Sequence, residues 1–190
     1  MKRIIAIALI VIFAISLVPC LVSCKRVKDD EAISIITKLV KESYDLNVIY
    51  FGNGLEHEFT EQDTGDYVRV SEDALYTKKK PLVEKTNEVF SKSYAQGIIS
   101  SAFVGAGGGI DSTASFPRYV EDYDGILTIR RDSVVVDEIA QYDFSTTKII
   151  KNSKNLIIAR IMTKNLSSNV EVQIQFVYED KAWKIDSATY

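Results

Sequence analysis

Two side-chain chemistries are nearly missing from this 190-residue chain: it has one histidine, His57, and two cysteines, Cys20 and Cys24, both near the start. Each shortage excludes a class of function. With no thiol beyond residue 24, a cysteine nucleophile and an internal disulfide are excluded from the body of the protein. A serine triad would have to recruit His57, yet no G-x-S-x-G elbow occurs in the sequence. A metal centre would also have to start from His57, in "GLEHEF", where Glu56 and Glu58 diverge in direction and a second histidine is lacking. The expectation is a solvated loop histidine, with no metal, no cofactor and no enzymatic activity. Basic residues form no dense stripe and the net charge is −3, which argues against a nucleic-acid partner.

What is there begins with Lys2 and Arg3, followed by an uncharged apolar run from Ile4 to Val18. This is the pattern of a secretory signal. A retained spanning helix is the competing reading, but it needs about 20 apolar residues, and this run meets Pro19 and a small-residue site first. Leu21-Val22-Ser23-Cys24 resembles the lipobox of bacterial lipoproteins, which implies cleavage before Cys24 and a diacylglyceryl group on its sulfur. Acyl burial of about 0.8 kcal/mol per methylene makes a two-chain anchor nearly permanent. The expected organisation is a lipoprotein signal peptide over 1–23 and a tether over 24–30 whose "KRVKDD" lies beside the headgroups. An N-terminal helix and acidic loop over 31–66 and an α+β domain over 67–190 follow. Without 1–23 the chain keeps 167 residues with 21 basic and 26 acidic side chains, a net −5. A domain of that length buries roughly 70% of the surface its unfolded chain exposes. The implied location is extracytoplasmic, on the outer face of a bacterial cell membrane.

Hydrophobic spacing divides the remainder into helices and then strands. Ile33, Ile36, Val40 and Tyr44 recur at three and four residues, an amphipathic helix with Asp29 or Asp30 as its cap. "YVRV" at Tyr67 to Val70 reads as a short strand. Thr77 is placed to cap a helix through "KKKPLVEKTNEVF", with Pro81 in its first turn, and Ser91 to cap another through "KSYAQGIISSAFV". After Pro117 the period changes, and strands are expected from Ile126, Ser145, Asn155, Asn169 and Ala182. Short turns at "SSN" and "EDK" make the last three a meander. The fold class predicted is α+β, with N-terminal helices packed on a C-terminal curved antiparallel sheet of about five strands.

The glycine run "GAGGG" invites a nucleotide reading that its context rejects. Gly105, Gly107, Gly108 and Gly109 follow a helix instead of a strand, Ile110 stands where a third fingerprint glycine belongs, and no helix start follows. These glycines read as a hinge or mobile loop between the helices and the sheet.

The order of the pieces resembles the IseA-type DL-endopeptidase inhibitors, bacterial proteins that block NlpC-type cysteine peptidases of the cell wall. The residues that carry the likeness are "YVRV", the helical stretch with "YTKKKPLVEKTNEVF", "VEDYDGILTIR" with its Asp124-Gly125 turn, "QYDFSTTKIIKNS", and "VQIQFVYEDKAWKIDSATY". The resemblance spans Tyr67 to Tyr190 and implies a cystatin-like domain whose partner is such a peptidase. Independently, "RYVEDYDG" sets Tyr119 and Tyr123 among Glu121, Asp122 and Asp124, tyrosines suited to an interface and carboxylates that steer cationic partners. The competing reading is an ordinary exposed hairpin turn. Trp183 is expected in the sheet core, Arg130-Arg131 at a solvated strand end, and Lys78 to Lys80 as a charge cluster at a helix start. Two other functions stay open: a cystatin-like module binding a small ligand in a pocket, and a hydrolase using carboxylates alone.

Overall fold

The computed structural model describes residues 26–58, 65–105, 116–133, 135–136, 138–164 and 169–190. Among the described residues the fold is α+β, with three helices and two antiparallel sheets. Helix α1 (Asp29–Phe51) is longer than the spacing predicts. Lys28 precedes it without a side-chain cap, and Asp29, Asp30 and Glu31 occupy its first turn instead, where the helix dipole favours anions. Its buried stripe includes Ala32, Ile36, Leu39, Val40 and Leu46, the spacing of one helix face. Strand β1 (Tyr67–Arg69) follows, then α2 (Lys79–Val89) and α3 (Lys92–Phe103). Ser91 caps α3 as its sequence position suggests, its Oγ accepting the Tyr94 N–H at 3.2 Å. Lys78, not Thr77, is the residue that precedes α2.

The seven strands of the described residues fall into two sheets, which corrects the expectation of one sheet of about five. Strands β2 (Tyr119–Glu121) and β3 (Leu127–Arg130) join β1 in the order β1-β3-β2. Strands β4 (Tyr142–Asn152), β5 (Leu156–Thr163), β6 (Glu171–Glu179) and β7 (Ala182–Ile185) form a four-stranded meander. The split has a physical reason in the chain between β3 and β4. There the Val136 N–H donates to the Phe51 carbonyl at 2.7 Å, bonding to the end of α1 instead of extending a ladder between β3 and β4.

The large sheet buries one face. Ile157, Ala159 and Ile161 of β5 and Ile174 and Phe176 of β6 are wholly inaccessible, while Arg160, Glu171 and Gln173 on the opposite face are exposed. This is the period-two alternation of a half-covered sheet. α1 contacts both edge strands, β4 and β7, and α2 packs on β7. The β6–β7 turn is Asp180-Lys181, with φ of 49° and 66°, the two left-handed residues of a tight hairpin. A buried polar tie joins α1 to the chain end: Asn47 Nδ2 donates to the Thr189 carbonyl and hydroxyl, both at 2.9 Å. Among the described residues, no helix is long and apolar enough to cross a membrane.

Candidate functional site

The small sheet carries the residues singled out by sequence, and it separates them. Tyr119 was expected on the surface beside Tyr123. Instead it is fully buried, its hydroxyl donating to the Ile49 carbonyl at 2.8 Å and accepting the Leu55 N–H at 3.0 Å. The reason is the β2 alternation: pairing Tyr119 with Ile129 turns its ring inward against Phe103 at a 5.9 Å centroid distance. The phenol closes the loop at the end of α1, and burial pushes its pKa upward. Tyr119 is therefore part of the core, and the exposed tip is left to Glu121, Asp122, Tyr123 and Asp124.

That tip is a built turn. The Asp122 N–H donates to the Ile126 carbonyl at 2.9 Å and the Gly125 N–H to the Asp122 carbonyl at 3.0 Å. Asp122 Oδ1 accepts the backbone N–H groups of Asp124 and Ile126, both at 2.9 Å, the self-bonding that makes aspartate a turn former. Gly125 follows with φ +73°. Arg69, projecting outward from β1 opposite Thr128, donates to Asp124 at 2.8 Å and to Asp122. Desolvation alone would raise the Asp122 pKa, but the bonds from the Ile126 N–H, Arg69 and the Asp124 N–H outweigh it and hold the carboxyl below its usual range.

Tyr123 stands on this frame with 95% of its surface exposed. Beside it, the loop after β1 is tied to the hairpin base by the Leu127 N–H donating to the Thr77 carbonyl at 2.9 Å, and it presents Leu75 at 57% exposure. Glu72, Asp73 and Glu121 are also exposed. Arg69 engages both aspartates of the turn, whereas these three carboxylates are exposed beside it. Sequence reasoning missed Arg69, although the alternation in "YVRV" places it outward from buried Val68 and Val70. It also missed Gly54, whose φ is +88° and where an added Cβ would stand 2.4 Å from Ile129 Cδ1, space that only glycine leaves.

The other singled-out residues take structural places. Gly105, with φ +88°, follows the residue that caps the end of α3 and ends that helix in the manner usual for glycine. Gly107, Gly108, Gly109 and Cys24 lie outside the described residues. His57 pairs with Val70 in a lone bridge, and its Nδ1 lies 2.7 Å from the Leu55 carbonyl. Trp183 is half-buried at the sheet end, 5.5 Å from the ring of Tyr178. Arg130 bonds Asp132 and lies 4.2 Å over the Phe116 ring, and Lys79 lies 4.7 Å over Phe103, cation–π contacts that pin both side chains.

One concavity offers a different chemistry. An open groove of about 340 Å³ between α1 and the start of β4 is lined by Val40, Lys41, Tyr44, Tyr142, Phe144 and Lys164. Lys41 Nζ lies 5.5 Å over the Phe144 ring, and burial pushes the Tyr142 phenol up to about 12. Away from this groove, the space between helices and large sheet is filled by Ile36, Leu46, Leu82, Phe90, Ile161 and Phe176.

Comparison with protein-family models and with curated proteins finds no match for this chain.

Proposed function

We propose that the protein is a non-enzymatic regulator of cell-wall DL-endopeptidases, tethered to the outer face of a bacterial membrane through Cys24. It inhibits an NlpC-type cysteine peptidase by seating the β2–β3 hairpin tip in the substrate groove. The observation that carries this reading is Tyr123, an aromatic side chain with 95% of its surface exposed on a turn already fixed by Asp122 and Arg69. A preorganised aromatic anchor loses little entropy on docking and so supplies binding energy efficiently. The filled interior supports recognition by a surface, and the four-stranded meander with helices on one face is compatible with a cystatin-like domain. Incubating the purified protein with an NlpC-type endopeptidase and wall fragments tests it. Cleavage should fall as the protein is added, and undiminished cleavage at excess protein eliminates the reading.

The groove at Lys41, Phe144 and Lys164 favours a second function, capture of a small anionic ligand with an aromatic or acyl body. Its volume falls within the usual range for ligand sites, and two ammonium groups beside aromatic rings suit a carboxylate or phosphate head. Calorimetric titration with such ligands that gave binding abolished by Lys41→Ala, alongside unaltered peptidase activity, would favour it.

A further inference from the structure

The start of the described chain is pinned to the β4–β5 end of the large sheet. Asn152, the last residue of β4, donates through Nδ2 to the Val27 carbonyl at 2.9 Å and to Asp29 Oδ1 at 2.8 Å, and Val27 packs against the core. Only Lys25 and Arg26 separate Val27 from Cys24, a reach of about 10 Å fully extended. A lipid on Cys24 therefore brings the β4–β5 end of the sheet to the headgroups. From there α1 runs its 23 residues, about 35 Å, to the opposite end. Its last turn is the place where Ile49 accepts the hydrogen bond from Tyr119 and Gly52 that from Arg118, so the small sheet and its hairpin sit at the far end.

We infer that the β4–β5 end rests on anionic lipid through Ile150, Lys151 and Lys154, and that α1 holds the hairpin tip away from the bilayer. This rests on reading Cys24 as the anchor. Ile150 is a 52% exposed apolar side chain at an irregularity between Ile149 and Lys151 in the ladder. Lys151 and Lys154 are exposed beside it, as are Arg26 and Lys28. The acidic residues of this end are Asp29, Asp30 and Glu31 in the first turn of α1, of which Asp29 is engaged by Asn152 and faces Arg26 at 3.9 Å. At the other end, the exposed Glu72, Asp73 and Glu121 are set against the exposed Lys78 and Lys80, which follow Thr77 at the hairpin base. The short tether and the exposed surface of Ile150, Lys151 and Lys154 put the β4–β5 end down, although the first turn of α1 is itself acidic.

The test uses the full lipidated chain in vesicles of mixed phosphatidylglycerol and phosphatidylcholine bearing headgroup nitroxides. A fluorophore is placed through Ile150→Cys or, separately, Tyr123→Cys, with Lys154→Cys as a second near-end site should position 150 disturb the strand. The near-end label should be quenched severalfold more than the label at 123, and Lys151→Glu with Lys154→Glu should reduce quenching at 150. Equal quenching at both ends, stronger quenching at 123, or indifference to the charge reversal would overturn the proposal. The anchor is read out separately: Cys24→Ala should release the chain from the vesicles, and retention equal to wild type would defeat the anchor itself, whatever the quenching pattern.

Discussion

The two sheets of this protein share one apolar core and differ in strand length and in the polar ties that fix them. The four-stranded sheet has strands of up to 11 residues and an inner face of Ile157, Ala159, Ile161, Ile174 and Phe176 that water does not reach. The small sheet has strands of three or four residues, and it too buries an apolar side, with Val68, Tyr119, Leu127 and Ile129. Its position is set by polar ties to other elements: Tyr119 to Ile49 and Leu55, Arg118 to Gly52, Tyr67 to Pro117 at 2.7 Å, and Arg69 to the hairpin turn. Hydrophobic burial is non-directional and makes a robust platform, whereas hydrogen bonds fix direction. The difference teaches that the exposed tip is aimed by polar geometry on a base held by apolar area.

The comparison breaks most violently at the platform. Phe176→Ala removes a ring with no exposed surface from the centre of the large sheet and is expected to cost about 3–5 kcal/mol, a large share of the roughly 5–15 kcal/mol that holds a domain together. Urea denaturation should show the midpoint falling sharply. A loss of under about 1 kcal/mol would mean that the inner face is not the continuous core described. The polar side is tested by Tyr119→Phe, which deletes one oxygen and leaves the Ile49 carbonyl and Leu55 N–H buried without that partner. The expected cost is about 1–3 kcal/mol. Hydrogen exchange should quicken around 52–57 and 119–130 and leave Ile157 and Ile174 unchanged. Uniform acceleration across both sheets would show that the small sheet has no separate means of support.

How far the sequence foretold each region follows the same division. Apolar periodicity reveals burial, so α1 and the strands of the large sheet were readable from Ile36, Val40, Ile174 and Phe176 at their spacings, and α3 from its Ser91 cap, whereas the Thr77 cap expected for α2 does not form. What periodicity does not carry is which strand pairs with which, because β3 alternates equally well as a member of either sheet. Single polar ties are silent as well. Nothing in "RYVEDYDG" distinguishes a tyrosine that donates to Ile49 from one that faces solvent, and Asp122 and Asp124 look free until Arg69, more than 50 residues earlier in the chain, is seen beside them. The candidate tip was thus legible as a turn, and its frame was not.

Acid provides a gentler probe of that frame. Asp122 has its folded pKa held below the ordinary value of about 3.9 by its bonds to Ile126, Arg69 and Asp124. The stabilisation is fully present above the unfolded value and is lost as pH falls through the folded one, so the turn should stay intact at neutral pH and loosen only below about pH 4. Amide chemical shifts of Asp124 and Ile126 should titrate together with a midpoint under the ordinary aspartate value, while those of Ile157 and Ile174 hold still. A midpoint at or above the ordinary value would show that Arg69 and the two amides do not hold the carboxylate, and the tip would then be aimed by something else.

The smallest expected effect on stability carries the most about function. Tyr123→Ala removes a side chain that buries almost nothing within its own chain, so the melting transition should move by no more than the equivalent of about 0.5 kcal/mol, as for ordinary surface substitutions. If the tip is the inhibitory element, peptidase inhibition should nevertheless weaken by at least about tenfold, because an aromatic anchor at the centre of an interface contributes 2 kcal/mol or more by typical experience. Asp124→Ala separates aiming from contact. Its carboxylate holds Arg69, so its loss should leave Tyr123 present but less firmly directed, weakening inhibition less than Tyr123→Ala does while quickening exchange in the turn. If Tyr123→Ala instead destabilised the fold as much as Tyr119→Phe, the two tyrosines would share one structural role. If both tip variants inhibited like wild type, the hairpin would be an ordinary turn and attention would pass to the groove at Lys41 and Lys164.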